Sequence, residues 1–392
     1  MRILMIAPEP CFQPRGTPFS VYHRIVALLQ LGHQVDLVTY HLGNDAQLEG
    51  LRIFRSARVP WITNVKVGPS RAKFLLDALL AWRCVGLLLH QRYAAIHTHE
   101  EAGFLGVILG WLTRTPHVYD MHSDLEQQLI NFRFTRNRLL LGLMRRVQRF
   151  IVRGSTAVIV ICPDLERRVR ELAPHKRVVL IENTSMLGSF REPSEDEVRH
   201  LRRTLGLDGR RVLLYTGTME PYQGLDVLLE SAPAVIAQHP QALYLLVGGQ
   251  EKQIRALQAR AEALGLQDHV RFLGPRPAEE MWTFMQLAEI LVSPRLQGTN
   301  TPLKIYAYLR SGRPILATDL LTHTQVLNPA TALLVEPSAT GLAQGALRLL
   351  GDPALARQLA ENAARFAEAQ YSYRTFLERT ALVYEDLGKA QS

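Results

Sequence analysis

The sequence predicts two α/β domains, each built on a doubly wound parallel sheet. Three observations carry this. Short apolar runs alternate with helix-period segments along the whole chain. Those runs are rich in Val, Ile and Leu, as in strands covered on both faces. The length of 392 residues exceeds one typical domain and suits two.

In the first half the runs fall at residues 2–6, 34–39, 94–98, 117–120, 157–161 and 178–181. Amphipathic segments fill the gaps, among them 19–31, which Gly32 closes as a C-terminal glycine. In the second half strands are expected at 211–216, 243–247, 270–273, 290–293, 314–318 and 332–335, and a helix at 225–231. The polar segment 191–211, with Pro193 and the acidic run Glu195-Asp196-Glu197, reads as the crossing between a domain of residues 1–190 and one of 191–370. Ligands of such sheets bind beyond the carboxyl ends of the strands, so a site is expected where the two domains face each other.

Composition narrows the class. Residues 1–190 hold 24 Lys and Arg against 14 Asp and Glu, whereas 191–392 hold 21 against 22. The basic half calls for an anionic partner: a lipid headgroup, a phosphorylated acceptor or nucleic acid. Nucleic acid is disfavoured, because no recognised module or interleaved surface aromatics accompany the charge. Cys11, Cys84 and Cys162 are scattered, which fits a reducing cytoplasm rather than a disulfide framework or zinc site. The amino terminus enters a strand directly, without the pattern of a secretion signal. The most apolar helical stretch, 74–89, contains Asp77 and Arg83, so no membrane span is expected.

Four motifs carry chemistry. Pro14-Arg15-Gly16-Thr17-Pro18 joins the first strand to the first helix, where Gly16 lets backbone amides and a helix N-terminus approach a phosphate. It lacks the glycine pattern of dinucleotide binders and the G-K-[ST] of a P-loop. Asp120, His122 and Ser123 end a strand, where they can orient hydroxyls or relay a proton. His97 and His99 also end a strand, but no third ligand at metal-like spacing is evident, so no metal is expected. Residues 215–226, with Gly217, Thr218, Gln223, Gly224 and Asp226, form a strand, a glycine turn and a helix start suited to phosphate. Last, Thr299-Asn300-Thr301-Pro302-Leu303-Lys304 feeds a helix whose first turn carries a lysine. That placement opposes the helix dipole and is best explained by an anion.

Taken together, these residues resemble the retaining glycosyltransferases of family 4, of GT-B fold and bacterial polysaccharide type, along nearly the whole chain. The likeness rests on residues 1–40 with Gly32-His33, on 94–122, on Asn183, on 212–249 with Gly217, Gly224, Asp226 and Gly248, and on 270–316 from Phe272-Leu273-Gly274 to Gly312-Arg313-Pro314. The chain departs from that family at four places. Thr218 and Gln223 stand where members often carry an arginine and a lysine that clamp the diphosphate. Thr299 and Ala307 stand where members usually carry two glutamates. Lys304, in a P-x-K segment, is expected to restore part of the lost charge.

The resemblance implies metal-independent transfer of a sugar, with retention, from a nucleotide-diphosphate sugar linked to uridine or guanosine. The first domain would bind the acceptor, and residues 371–392 would pack back onto it as a helix. Gly16, Thr17, Gly217, Thr218, Gln223 and Lys304 would surround the diphosphate, and Thr299, Asn300 and Thr301 the sugar hydroxyls. The turn after Gly274, with Arg276, would meet the base. His122 would contact the transferred sugar beside Asp120. A non-catalytic GT-B subunit and a sugar-nucleotide epimerase remain open as alternatives. Finally, on a helical wheel over 138–153, Arg138, Arg145, Arg146, Arg149 and Arg153 lie opposite an apolar face that includes Leu139, Leu143 and Phe150. Arg133 and Arg136 precede it, and Arg71 and Lys73 lie before another apolar helix, which suggests peripheral attachment of a cytoplasmic protein to an anionic membrane carrying a lipid-linked acceptor.

Overall fold

The computed structural model describes residues 1–12, 16–65, 71–131, 137–182 and 191–389. Asn183, Arg133 and Arg136 lie outside them. The chain divides into two units, one of Met1–Asn183 with Arg374–Ser392 and one of Thr184–Tyr373.

The first unit runs β1 (Arg2–Ala7), α1 (Gly16–Gln30), β2 (Gln34–Thr39), β3 (Leu51–Arg55), α2 (Arg71–His90), β4 (Ala95–His99) and α3 (Ala102–Thr113). It continues with β5 (His117–Met121), α4 (Leu125–Asn131), α5 (Arg138–Gly154), β6 (Ala157–Val160), α6 (Pro163–Leu172) and β7 (Val178–Leu180). Its seven strands pair in parallel in the order β3-β2-β1-β4-β5-β6-β7. The second unit begins with α7 (Glu195–Thr204), β8 (Arg211–Thr216), α8 (Leu225–Gln238), β9 (Ala242–Val247), α9 (Glu251–Ala263) and β10 (Val270–Gly274). Then come α10 (Met281–Leu287), β11 (Ile290–Ser293), α11 (Leu303–Arg310), β12 (Ile315–Thr318), α12 (Leu321–Thr324), β13 (Leu333–Val335), α13 (Ala339–Gly351) and α14 (Pro353–Tyr371). Its sheet has the order β10-β9-β8-β11-β12-β13. The last helix, α15 (Tyr373–Lys389), belongs mostly to the first unit.

Both sheets are therefore doubly wound, as the strand composition predicts. The strand order reverses between β1 and β4 in one sheet and between β8 and β11 in the other, and ligands favour those crevices. Two elements differ from expectation. β3 was not anticipated, although Leu51-Arg52-Ile53-Phe54-Arg55 intersperses apolar residues with charged ones as an edge strand does. The segment 191–211 is no mere crossing. Ser194 and Glu197 form a capping box that starts α7, and Val198, Leu201 and Leu205 pack on the core of the second unit. Its acidic run suits the positive N-terminus of a helix.

In the first unit α2, α3 and α5 cover one face of the sheet, and α1 and α15 the other. Tight packing on the first face depends on glycines. A Cβ on Gly106 would lie 2.3 Å from His117 Nε2 and 2.4 Å from Thr98 Cγ2, and one on Gly103 would lie 2.7 Å from Ile151 of α5. Gly142, within α5, has nothing within 4 Å of a built Cβ. Chemical denaturation checks this contrast. Gly106→Ala should destabilise by about 1–3 kcal/mol through overpacking, whereas Gly142→Ala should stabilise by about 0.5–1 kcal/mol through helix propensity. Equal effects at both positions would refute the packing argument.

Candidate active site

At the carboxyl ends of β4 and β5 the register pairs His97 with Val118 and His99 with Asp120. His97, His99 and Asp120 thus share the sheet face under α1 and α15. Asp120 is 1% exposed and gathers every polar neighbour. Arg24 Nε on α1 lies 3.0 Å from its Oδ2, His97 Nε2 lies 3.4 Å from the same oxygen, and His122 Nε2 lies 3.3 Å from Oδ1. His99 Nδ1 and His122 Nε2 are 3.0 Å apart.

Burial opposes the charge on Asp120, but Arg24 first and His122 next outweigh it and hold the carboxyl well below its usual range. Burial drives His97 below the histidine range and His99 well below it, the latter with help from His97. The network therefore stores one buried ion pair beside the neutral imidazoles of His97 and His99. It also anchors α15: the Tyr384 hydroxyl is hydrogen-bonded to His97 Nδ1, and Arg24 Nη1 donates to Thr380 Oγ1 at 2.9 Å.

Two expectations are corrected here. Asp120 does not face outward as a group that meets substrate; its oxygens serve Arg24 and the histidines, so it positions His122. The third metal-type ligand that sequence spacing lacked is Asp120 itself. The ligand atoms of His97, His99 and Asp120 lie within 4.8 Å of one another because the strands are neighbours in the sheet. Arg24 already supplies a cation to that carboxylate.

Beside His122 stands a carboxylate, Glu100, to which the sequence analysis assigned no role. Glu100 adopts φ +50 at the end of β4, a left-handed conformation uncommon for a residue with a side chain. Ser123 Oγ donates to Glu100 Oε2 at 2.7 Å and Gln128 Nε2 to the same oxygen at 3.0 Å. Thr17 Oγ1, in the first turn of α1, donates to Oε1 at 3.4 Å. Burial raises the Glu100 carboxyl above its ordinary range, against the pull of His122. The signal available in sequence was its place immediately after His97-Thr98-His99. Gly16 opens α1 next to Thr17.

In the second unit the site residues converge at the ends of β8, β9 and β10. Gly217 has φ +135 and Gly248 φ +112, and a Cβ on Gly248 would lie 2.1 Å from Gly217 O. Only glycine permits backbones to meet this closely. Gly248 N donates to Gly274 O at 2.8 Å, which draws the third turn in. Lys304, in the first turn of α11, reaches over this cluster. Its Nζ lies 3.6 Å from the Tyr215 ring centroid and 3.5 Å from Gln223 Oε1, and a Cβ on Gly217 would lie 3.4 Å from it. Gln223 Nε2 in turn lies 3.5 Å from Thr218 Oγ1. Burial first, and Arg295 second, push the Lys304 ammonium well below its usual range.

Arg295, missed in the sequence, organises the loop that follows β11. Its Nε donates to Gln297 O at 2.7 Å and its Nη1 to Asn300 O at 3.1 Å. Thr322 Oγ1 donates to Asn300 O at 2.6 Å and Gln325 Nε2 to Thr299 O at 2.5 Å. The Thr301 hydroxyl is buried without a hydrogen-bond partner among the described residues. Arg276 is exposed after β10. The structure thus joins Gly217, Thr218, Gln223 and Lys304 in one cluster, and sets Gly274 beside it through Gly248.

Comparison with known proteins agrees with this architecture. Residues 16–184 match the glycosyl transferase 4-like domain, and residues 210–352 match the glycosyl transferases group 1. A phosphatidyl-myo-inositol mannosyltransferase of Mycolicibacterium smegmatis is 25% identical over 91% of this chain and 86% of its own. Among solved structures, sucrose-phosphate synthase of Thermosynechococcus elongatus superimposes with a TM-score of 0.79 at 23% identity, covering 99% of each chain. HepE of Anabaena in complex with UDP-glucose gives 0.75 at 17% identity, covering 98% of this chain and all of its own.

Acid stability tests the buried histidines. Burial takes His23 and His117 down to about 3, and lowers His97 and His99. Their folded values lie below the unfolded value of about 6.5, so between the two the unfolded chain binds more protons. Stability should be full above about pH 6.5 and fall by up to about 1.4 kcal/mol per histidine per pH unit below it. The loss from Asp120 joins only below about pH 4. Urea unfolding across pH 7.5 to 5 measures this, and a flat profile would mean that the folded protein accommodates the protons. With both halves of the chain matched and the architecture in agreement, the protein is a glycosyltransferase of GT-B fold, built from a glycosyl transferase 4-like domain and a group 1 domain.

Proposed function

We propose that the protein transfers a sugar, with retention and without a metal, from a uridine- or guanosine-linked diphosphate sugar to an acceptor in cell-surface polysaccharide or glycolipid assembly. The observation that carries this reading is Lys304. It is a partly buried ammonium set against the Gly217 turn, with a second cation, Arg295, acting on it and no ion pair to a carboxylate among the described residues. A cation desolvated without an acid is costly unless an anion arrives. The glycine turns bring backbone close to that point, and a leaving diphosphate supplies the missing charge. Stabilising charge as it develops is often the largest catalytic contribution. On this reading Lys304 replaces the arginine and lysine absent at Thr218 and Gln223, reaching the same cluster from a different helix.

In the first unit His122 and Glu100 serve the transferred sugar and the acceptor. The raised carboxyl of Glu100 suits hydrogen bonding to hydroxyls, and Asp120 with Arg24 fixes the imidazoles. Retention and freedom from metal rest on the likeness to the retaining family. The phosphatidyl-myo-inositol acceptor named for one relative supports a lipid-linked acceptor here, met at the cytoplasmic side of a membrane.

Melting shifts and calorimetry with UDP, GDP and their sugars test the donor, since a ligand that binds only the folded state raises stability by mass action. Charge-assisted hydrogen bonds contribute about 1.5–3 kcal/mol, so Lys304→Ala should weaken nucleotide binding roughly ten- to a hundredfold with the fold retained. Unchanged affinity would remove Lys304 from the site. Because its free-state ammonium is pushed down, affinity should decline as pH rises well before the ordinary lysine range, with proton uptake on binding.

Turnover tests the other unit. His122→Ala and Glu100→Gln should each lower kcat about tenfold or more while leaving nucleotide affinity unchanged. Normal turnover with both substitutions would leave these residues a structural role alone.

A further inference from the structure

Three helices of the first unit share an outer surface that carries large apolar side chains into solvent. Trp82 on α2 and Trp111 on α3 are each 80% exposed, and Leu139 on α5 is 85% exposed. Phe74 and Leu89 extend the stripe along α2. α2 packs on α3 and α3 on α5, and the exposed rings of Phe104 and Phe150 meet across the second junction at 5.4 Å. The inner side of α2 already fills the core with Leu76, Leu80 and Cys84, so its outer stripe has no packing role within the unit. Contiguous apolar exposure of this kind marks an interaction surface.

The charge on the same surface selects the partner. The three helices contain one carboxylate, Asp77, and it accepts a hydrogen bond from the buried Tyr40 hydroxyl at 2.5 Å. The flanking acids Glu101 and Glu126 are taken by Lys73 and Arg145, each at 2.5 Å. Arg146, Arg149 and Arg153 are exposed and form no ion pair among the described residues. They do not stand apart from the apolar residues as the helical wheel suggests. Met144, Val147 and Ile151 pack inward, while Leu139, Leu143 and Phe150 remain outside beside the arginines.

Tryptophans and leucines flanked by unpaired arginines, with no free acid, match the interface of an anionic bilayer. Acyl chains accept the apolar side chains, headgroup phosphates accept the guanidinium groups, and indoles favour the boundary. A second copy applied to the same surface would set arginines against arginines. No described helix is long and apolar enough to cross a membrane.

We propose that the outer surface of α2, α3 and α5 inserts into the headgroup boundary of an anionic membrane, with Trp82 and Trp111 as anchors. This deepens the reading of a lipid-linked acceptor, but it is tested without turnover. A protein that binds vesicles and transfers no sugar would retain this surface and remove the catalytic reading.

The full chain is mixed with phosphatidylcholine vesicles with and without phosphatidylglycerol. It should sediment with the anionic vesicles, and its tryptophan emission should shift to the blue and be quenched by lipids with brominated acyl chains. Trp82→Ser with Trp111→Ser should weaken binding about tenfold or more and abolish most quenching. Arg146→Glu with Arg149→Glu and Arg153→Glu should weaken binding and reduce its salt dependence. Circular dichroism confirms that each variant is folded. Sedimentation without quenching would mean adsorption by charge alone and overturn insertion. Undiminished binding by the tryptophan variant would overturn the assignment of the surface. A tryptophan-dependent dimer that ignores vesicles would give the surface to a second copy.

Discussion

A carboxylate sealed beneath two helices must be neutralised where it stands, and Asp120 meets that constraint by drawing four elements to one point. Arg24 comes from α1, His97 and His99 from β4, His122 from the turn after β5, and Thr380 and Tyr384 of α15 close the network through Arg24 and His97. Truncating one partner of a buried charge pair costs about 3–5 kcal/mol, because the other charge is left uncompensated. The last helix of the chain is therefore bound to the first unit by a polar network rather than by apolar contact alone. The same network holds the imidazole of His122 beside Glu100, so what stabilises the unit also fixes the side chains at the carboxyl ends of β4 and β5.

The second unit solves a complementary problem. Its glycine turns permit close backbone approach, and the cation that faces them is supplied by α11 after a loop tied down by Arg295, Thr322 and Gln325. In a partly desolvated setting charges interact more strongly than in water, and an uncompensated ammonium gains most when a phosphate binds. Thr218 and Gln223 leave their turn without a charge of its own. Gln223 remains in the cluster as the hydrogen-bonding neighbour of Lys304.

Strand sites such as β8 and β11, and the glycine turn at Gly32, were legible because hydrophobic periodicity and positive-φ glycines are local properties. Lys304 was legible for the same reason: a lysine in the first turn of a helix conflicts with the dipole within a few residues. Edge strand β3 was not, since it is short and two of its five residues are charged. The segment 191–211 misled because an acidic, proline-containing stretch suits a linker and a capped helix equally until its apolar residues find a core.

By itself the sequence determined two doubly wound α/β domains, the basic first half, and the residue types that end each strand. It could not determine which strand ends adjoin. Strand order in a parallel sheet is set by how helices pack across it, over separations of tens of residues, and no local pattern records that. Tertiary structure alone decided that Asp120 lies against His97 and His99, that Glu100 completes the cluster of Thr17 and Ser123, and that Lys304 rests over Gly217. It also decided which apolar side chains of α2, α3 and α5 are core and which meet solvent. A helix apolar around most of its circumference has no sequence mark for its outer side, and only the neighbours it acquires in the fold settle which residues are left exposed.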